Sequence, residues 1–564
     1  MVCWNLCGEM QRRILVVLLV IAMTTGDKSL DLGKGVLVHL FEWTYPDIAK
    51  ECEEFLAPKG FAGVQISPPS ENLVSAGRPW WERYQPVSYR LITRSGTDRQ
   101  LSDMLSRCNR VGVRVIADVV FNHMTGSPPD CKGVGGSTCD GRGLSYPAVP
   151  YTSADFHQPQ CGIKDWNNPS QIWNCNLVGL HDLNQTREEV RQKVVDYLNN
   201  LIDLGMAGFR VDAAKHMDPS DLRVIYGRLK NLKTEHGFPP NTKPFIVQEV
   251  IDYGTDGVKY QEYTPLGLVT DFRFGKELGR CFQGRNDIKW LTSFGPAWNI
   301  LPGDKTVVFI DNHDTERSSD SDIVNYKRSR SYKMAIAFML SWGIGTPRVL
   351  SSFQFSDFNQ GPPRDKNDNI LSPRPIQADI CTNGWSCQHR WRQIYNMVAF
   401  HNFVRGTEVA SWWDNGKNQI AYCRGHKGFI AFNVENYPLN KKLQTCLPKG
   451  SYCDIISGNL EDGRCTGKTV EVGEDGTALI TIGEFNPTNP DDGVLAIYLK
   501  LSTNLHPKLY RPRIRVPSST SSYHLLLLLL WLQLSTYRLR TFKYSYYHKP
   551  LSEPGINKIK ISVL

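Results

Sequence analysis

Four stretches join an apolar, β-branched run to carboxylates and histidines: Asp118-Val-Val-Phe-Asn-His123, Gly208-Phe-Arg-Val-Asp-Ala-Ala-Lys-His216, Phe245-Ile-Val-Gln-Glu249 and Phe309-Ile-Asp-Asn-His-Asp314. Carboxylates at the ends of buried strands suit acid–base and nucleophilic chemistry. Arg210 and Asp212 are two apart, so on a strand both face one side. A guanidinium beside a carboxylate lowers its pKa and favours the anion, which a carboxylate nucleophile must be. Glu249 closes an apolar run, where partial burial favours the protonated state that a general acid uses. Taken singly, an Asp at a strand end more often caps the following helix, and a lone histidine more often packs in a core. Four such patches in order are a different signal.

Groups of this kind need strands whose ends converge. Short β-branched runs recur at Val36–Phe41, Gly63–Ser67, Val113–Val120, Gly208–Asp212, Phe245–Glu249, Leu268–Phe274, Thr306–Ile310 and Pro347–Leu350, with helical patterns such as Arg187–Leu204 between them. Strands alternating with helices predict an α/β fold, a (β/α)8 TIM barrel, which carries its sites at the C-terminal ends of the strands. A doubly wound sheet is the alternative, but no GxGxxG follows the first run. Residues 123–181 are rich in Gly, Pro, Asn and Cys with little helical period. A structureless loop of that length is improbable in a compact domain, so an inserted irregular domain is expected after strand three, between barrel segments 27–122 and 182–405. Short alternating strands with turn signals over 406–500, for example Gln419–Asn433, predict a C-terminal antiparallel β-sandwich domain.

The composition, 41% hydrophobic and 21% charged over 564 residues, is globular. The net charge of +9 is local: residues 501–564 hold ten Lys/Arg against one Glu, whereas 27–500 hold 53 basic and 54 acidic residues. The body therefore has no bulk electrostatic reason to bind nucleic acid, and none is expected as a partner. Arg12-Arg13, an apolar run Ile14–Met23 and Thr24-Thr25-Gly26 read as a secretory signal over 1–26, making the product extracellular. Of 15 cysteines, Cys3 and Cys7 leave with that signal, and the odd remainder predicts one free thiol. Cys161/Cys175, Cys381/Cys387 and Cys453/Cys465 are close enough in sequence to close small loops. Asn184-Gln-Thr186 is an N-glycosylation acceptor sequence. In the basic tail 501–564, the run His524–Leu534 follows Ser/Thr-rich 518–522 and resembles a lipid-anchor signal with too short a spacer. Membrane attachment at the cell surface is one reading of it, an unstructured extension the other.

The stretches His39-Leu-Phe-Glu-Trp43, Pro79-Trp-Trp-Glu-Arg-Tyr-Gln-Pro86, Lys215-His-Met217, Gln248-Glu-Val-Ile-Asp252 and Trp391-Arg-Gln-Ile394 carry a resemblance over roughly 31–500. It is to the α-amylase family of retaining glycoside hydrolases, in its animal-type, chloride-dependent branch. The resemblance implies Asp212 as nucleophile, Glu249 as acid/base and Asp314 as the third carboxylate. It implies substrate contacts from Trp80, Trp81, Tyr84, Gln85, His123, Lys215, His216 and His313. A structural calcium ion would take side-chain oxygens of Asn122 and Asp182 and main-chain oxygens of His216 and Trp173, the last replacing an Arg usual in the family. It further implies an activating chloride held by Arg210, Asn312 and Arg348. The residues support that independently: two buried guanidiniums and an amide offer donors, and a small anion offsets unpaired buried charge. The alternative is Arg348 paired with a carboxylate. Family bridges Cys52–Cys108, Cys161–Cys175, Cys381–Cys387 and Cys453–Cys465 are matched. Cys423 and Cys446 stand where the animal enzymes have Gly, on two proposed neighbouring strands, and are expected to form an added bridge. Cys131–Cys139 is expected as another, leaving Cys281 free. Ile92 replaces a family half-cystine. Thr315-Glu-Arg-Ser-Ser-Asp-Ser321 replaces the Gly- and His-containing mobile loop, so product length is not carried over.

The resulting expectation is a monomeric endo-hydrolase of α-1,4-glucans: starch, glycogen and maltooligosaccharides. The competing expectation is a non-catalytic amylase-like ectodomain binding glycan or protein; such relatives lose the carboxylates that this chain keeps.

Overall fold

The computed structural model describes residues 28–499, apart from 33–34, 375, 377–378 and 486–490. The expected signal segment and the basic tail lie outside the described residues. Eight parallel strands close a barrel in chain order: β1 (Leu37–Leu40), β2 (Gly63–Ile66), β3 (Arg114–Val119), β4 (Gly208–Val211), β5 (Phe245–Gln248), β6 (Leu268–Asp271), β7 (Thr306–Val308) and β8 (Thr346–Ser351). Closure is made by β8 against β1, with Arg348 opposite Leu37 and Leu350 opposite His39. All eight expected strands are present. The sixth is shorter than its apolar run suggested: Asp271 ends it by capping helix Phe272–Phe282, its Oδ1 accepting from the Phe274 amide at 3.1 Å. The apolar residues beyond Asp271 belong to that helix.

The period of two along each strand divides the barrel into layers. Val38, Leu40, Val115 and Ala117 point outward into the core shared with the helices. Leu37, Ile116, Phe245, Val247 and Val307 form a separate apolar plug inside. Two residues further along, the same inward side turns polar: Leu37 is followed by His39, Ile116 by Asp118, and Asp118 stands opposite Arg210 in register. The plug thus supports a buried polar layer just below the C-terminal mouth.

Between β3 and helix Glu188–Asp203 the chain makes only a two-residue hairpin ladder (Cys131–Lys132 with Thr138–Cys139), one 3-10 turn and helix Pro169–Asn174. A small core of its own, with Met124, Tyr146, Tyr151 and Phe156, holds it together. After helix Arg392–Val404 come antiparallel strands. Four of them, Val409–Asp414, Gln419–Arg424, Gly428–Asn433 and Val494–Tyr498, make one sheet, and the smaller ladders face it. The hairpin Gln419–Asn433 is buried on both faces. Ile420, Tyr422, Ile430 and Phe432 join the barrel's core, while Ala421, Cys423, Phe429 and Ala431 form the core of the β-domain. One sheet therefore belongs to two cores.

Six disulfides form with the expected partners, and Cys281 is a buried free thiol. The setting of one differs from expectation. Cys446 lies beyond the end of strand Leu439–Gln444, and that strand pairs with Thr477–Ile482, not with the strand carrying Cys423. Cys423–Cys446 thus joins two sheets rather than neighbouring strands of one.

Candidate active site

A cleft of about 490 Å³ opens over the barrel mouth and is lined by Asp212, Glu249 and Asp314 together with Trp80, Trp81, Tyr84, His123, Lys215, His216 and His313. These come from segments spread over more than two hundred residues; closure of the barrel brings them together. Gln85 is not in the lining. Its Oε1 accepts from the Gly126 amide at 3.1 Å and so tethers the inserted segment. Trp80 is buried and packs edge-on against Phe41, Tyr84 and His313, so it buttresses the platform that Trp81 presents.

Arg210 organises the carboxylates. Its Nη1 bonds Asp118 at 2.8 Å and Asp212 at 2.5 Å, and its Nη2 lies 2.6 Å from Glu249. The ion pair expected for Asp212 is formed, but its expected consequence is not. Burial, reinforced by Glu249 and Asp118, outweighs Arg210 and raises the Asp212 carboxyl well above the ordinary range. Asp118 is raised too, by burial first, and accepts from Tyr84 Oη at 3.0 Å. Asp314 is pushed up to about 7, by desolvation and then by Glu249. Three carboxylates around one guanidinium hold more negative charge than it neutralises.

The turn after β4 is strained where it serves the site. Ala213, at φ 48°, is a non-glycine residue in the left-handed region, and its amide donates to Glu249 Oε2 at 2.8 Å. The histidines are held neutral by burial, His123 and His216 both at about 4. Tyr84 stacks on His313 at 4.9 Å, while Lys215 Nζ donates to Ile251 O at 2.6 Å and to Asp256. Trp166, Leu177, Leu180, Ala213, Ile251 and Asp256 also line the cleft and were not anticipated. Trp166 lies in the inserted segment, where no periodicity signals a role. Asp256 has only its position in the loop after the third acidic patch.

The residues expected to hold a cation fit one. The Asn122 amide nitrogen donates to His123 Nδ1 at 3.1 Å, and Asp182 Oδ2 accepts from His157 Nδ1 at 2.7 Å. The other oxygen of each, Asn122 Oδ1 and Asp182 Oδ1, is buried without a hydrogen-bond partner. His123 pairs with Asp182 in an isolated bridge, so the two segments run side by side. His216 Nδ1 donates to Ile172 O at 3.1 Å, joining its turn to the helix that carries Trp173. Two orphaned buried oxygens suit a hard cation.

The expected anion site needs one correction. Arg210 does not lack partners, since both terminal nitrogens are taken by carboxylates. The Asn312 amide donates to Asp314 Oδ2 at 3.3 Å. Arg348, 4% exposed, is the unbalanced charge: it donates to the neutral Gln65 Oε1 at 2.7 Å, with no carboxylate in ion-pair contact among the described residues. Burial, then Arg210, lower it to about 10. A small anion fits that position.

The segment after Asp314 is pinned. Arg317 bonds Glu316 and donates to His313 O at 3.0 Å, its guanidinium 4.2 Å from the Phe355 ring centre, and Glu316 accepts from Ser352 Oγ at 2.7 Å.

A model described as the α-amylase catalytic domain matches residues 59–350, and one described as the α-amylase C-terminal all-β domain matches 411–500. Alpha-amylase-related proteins of Drosophila bakoue and Drosophila lini are each 54% identical over 468 residues, 83% of this chain and 94% of theirs. The crystal structure of wild-type α-amylase I from Eisenia fetida aligns with a TM-score of 0.78 at 40% identity, covering 82% of this chain and 97% of that one. A mutant of α-amylase I from the same organism, in complex with maltohexaose, aligns with the same score and identity over 84% and 99%.

Proposed function

The chain belongs to the α-amylase family, and on that premise we propose that it is a secreted, monomeric α-amylase that cleaves internal α-1,4 bonds of starch, glycogen and maltooligosaccharides with retention. The observation that carries the proposal is the single Arg210 guanidinium in contact with both Asp212 and Glu249. One side chain thus holds both carboxyl groups at the same point of the cleft, which supports a retaining pair, whose carboxyl groups stand about 5–5.5 Å apart. Asp212 attacks C1 while Glu249 gives its proton to the departing oxygen. Water then enters, Glu249 takes a proton from it, and the glucosyl–Asp212 ester is cleaved. Asp314 stabilises the positive charge that develops on the ring. The Ala213 amide fixes the carboxyl of Glu249 through its second oxygen. Trp81 offers an apolar face to a pyranose ring, and Lys215, His123, His216 and His313 offer polar groups to hydroxyls.

Calcium would be held by Asn122, Asp182 and the main-chain oxygens of Trp173 and His216, where it serves as a structural clamp for the inserted domain. Chloride would be held at Arg348, with Arg210 and Asn312 near it. An anion there would supply the negative charge that Arg348 lacks. The domain division proposed is barrel 27–122 and 182–405, inserted domain 123–181 and β-domain 406–500. Asn184, whose Oδ1 accepts from Thr186 Oγ1 at 2.5 Å, is proposed as the glycan acceptor, which a mass shift on deglycosylation tests. Surface attachment through the tail is tested by partition of activity between membranes and medium. For the activity itself, reducing-sugar release from soluble starch with chromatography of the products is the test. Mixed oligosaccharides from early time points support it, and no release from starch or glycogen overturns it.

A further inference from the structure

The 3-10 turn Thr315–Arg317, directly after the third carboxylate, carries two fully buried charged side chains, neither of which lines the cleft. Glu316 and Arg317 pair with each other, and among the described residues Arg317 has no second carboxylate in ion-pair contact. Glu316 Oε1 also accepts from Ser352 Oγ at 2.7 Å, just past the end of β8. The Glu316 amide donates to Asn312 O at 2.9 Å, and its carbonyl accepts from Asn325 Nδ2 at 2.7 Å. Burying two charges costs desolvation that their attraction roughly offsets, so stability alone does not account for the pair.

The three carboxylates of the cleft are held differently. Asp212 and Glu249 are gripped by Arg210. Among the described residues the Asp314 carboxyl has only two long polar contacts, with Asn312 Nδ2 and His313 Nε2, each at 3.3 Å. Its place over the cleft therefore depends on the backbone at either side of it. On one side Arg317 donates to His313 O at 3.0 Å, and on the other the Thr315 amide donates to Asn312 Oδ1 at 2.8 Å. Arg317 is itself fixed among four rings, 5.5 Å from the centres of Phe41 and Trp80, 4.9 Å from Phe353 and 4.2 Å from Phe355. Phe41 in turn stacks on the His313 ring at 5.1 Å. Burial and then Glu249 raise the Asp314 carboxyl, and Arg317, after Arg210, is among the charges that oppose the rise. Glu316 is the group that keeps Arg317 at this crossing, with its charge balanced.

We infer that Glu316 is a positioning residue for Asp314: paired with Arg317 and bonded to Ser352, it ties the backbone around the third carboxylate to the end of β8 and so sets where that carboxylate stands. The inference rests on the hydrolytic reading of the cleft and adds to it a residue outside the cleft lining. Asp314 acts on charge that develops only in the transition state, so misplacing it lowers kcat and spares KM. A shift of about 1 Å is enough for about a hundredfold. The test measures kcat and KM on a maltotrioside with an aryl leaving group, at a temperature below the unfolding midpoint of every variant. Glu316→Ala is expected to lower kcat about ten- to a hundredfold with KM within about threefold. Glu316→Gln keeps the shape and the acceptor for Ser352 but loses the charge, and is expected to lower kcat about three- to tenfold; it carries the test if the alanine variant does not fold. In an Asp314→Asn background the same substitutions should cost less than about threefold, because no carboxylate remains to be placed. Folded variants with the parent's kcat, or a loss that persists in full beside Asp314→Asn, overturn the inference while the hydrolytic reading stands. No hydrolysis of the aryl glycoside or of starch by the parent overturns both.

Discussion

Asp212 and Glu249 share one guanidinium; beside it Asp212 meets the charge of Asp118, and Glu249 accepts from the Ala213 amide. Asp212→Asn removes the bond-forming oxygen, and Glu249→Gln removes the transferable proton. Each is expected to lower turnover on starch by about 10²–10⁴ or more with an unchanged circular dichroism spectrum; turnover within tenfold of the parent for either would end the assignment. Arg348 supplies the second residue-scale prediction. Its buried charge meets the neutral Gln65 amide and the Phe309 ring, with no carboxylate in ion-pair contact among the described residues, so dialysis against a chloride-free buffer is expected to lower activity several-fold. The alkaline limb of the pH profile should retreat at the same time, because the anion helps the acid keep its proton. Arg348→Gln should respond to neither chloride nor its removal. Identical pH profiles of the parent with and without chloride would refute the anion's role.

At the scale of elements, the β-domain is held to the barrel by the doubly buried hairpin and held to itself by the added bridge. Cys423 and Cys446 have Cα atoms 6.1 Å apart and join two sheets with no strand pairing between them. A crosslink over 23 residues restricts the unfolded chain and is worth about 2–4 kcal/mol. The Cys423→Ser/Cys446→Ser double variant should therefore show a lower denaturant midpoint with starch hydrolysis at low temperature unchanged, since the bridge lies outside the cleft. A midpoint equal to that of the parent would show that the two sheets are fixed by their shared core alone.

The whole molecule depends on contacts that join the two ends of the barrel sequence. Glu51 follows β1, and His389 and Arg390 follow β8. Burial alone would raise the Glu51 carboxyl, but hydrogen bonds from His389 at 2.8 Å and Arg390 at 2.6 Å hold it at about 2. A carboxyl lower in the folded than in the unfolded state stabilises the fold above its ordinary value near 4.5. That contribution is lost as pH falls through about 2. Glu51→Gln is expected to lose about 3 kcal/mol at pH 7. The gap from the parent should shrink between pH 4.5 and 2, as read by urea denaturation across that range. A gap independent of pH would assign the loss to packing rather than charge.

The eight strands, the interruption after the third and the β-domain were legible in the chain, because alternation of β-branched residues is a local property. Of the six disulfides, spacing pointed to the short loops Cys161/Cys175, Cys381/Cys387 and Cys453/Cys465, and Cys52–Cys108 followed from the resemblance to the α-amylase family. Spacing also marked the acidic patches that follow the apolar runs, while the choice of Asp314 within the fourth came with the resemblance. Only the tertiary structure decided how these groups act on one another. Asp212 and Arg210 are neighbours in sequence, so their ion pair was legible. Burial overrides it, reinforced by the charges of Glu249 and Asp118 from the two strand segments that flank β4, and no local pattern reports that. Arg210 was expected beside Asp212 alone and meets Asp118 and Glu249 as well, for the same reason. Trp166 and Asp256 lie in irregular segments, where side-chain direction follows from close packing against distant residues rather than from a repeat along the chain.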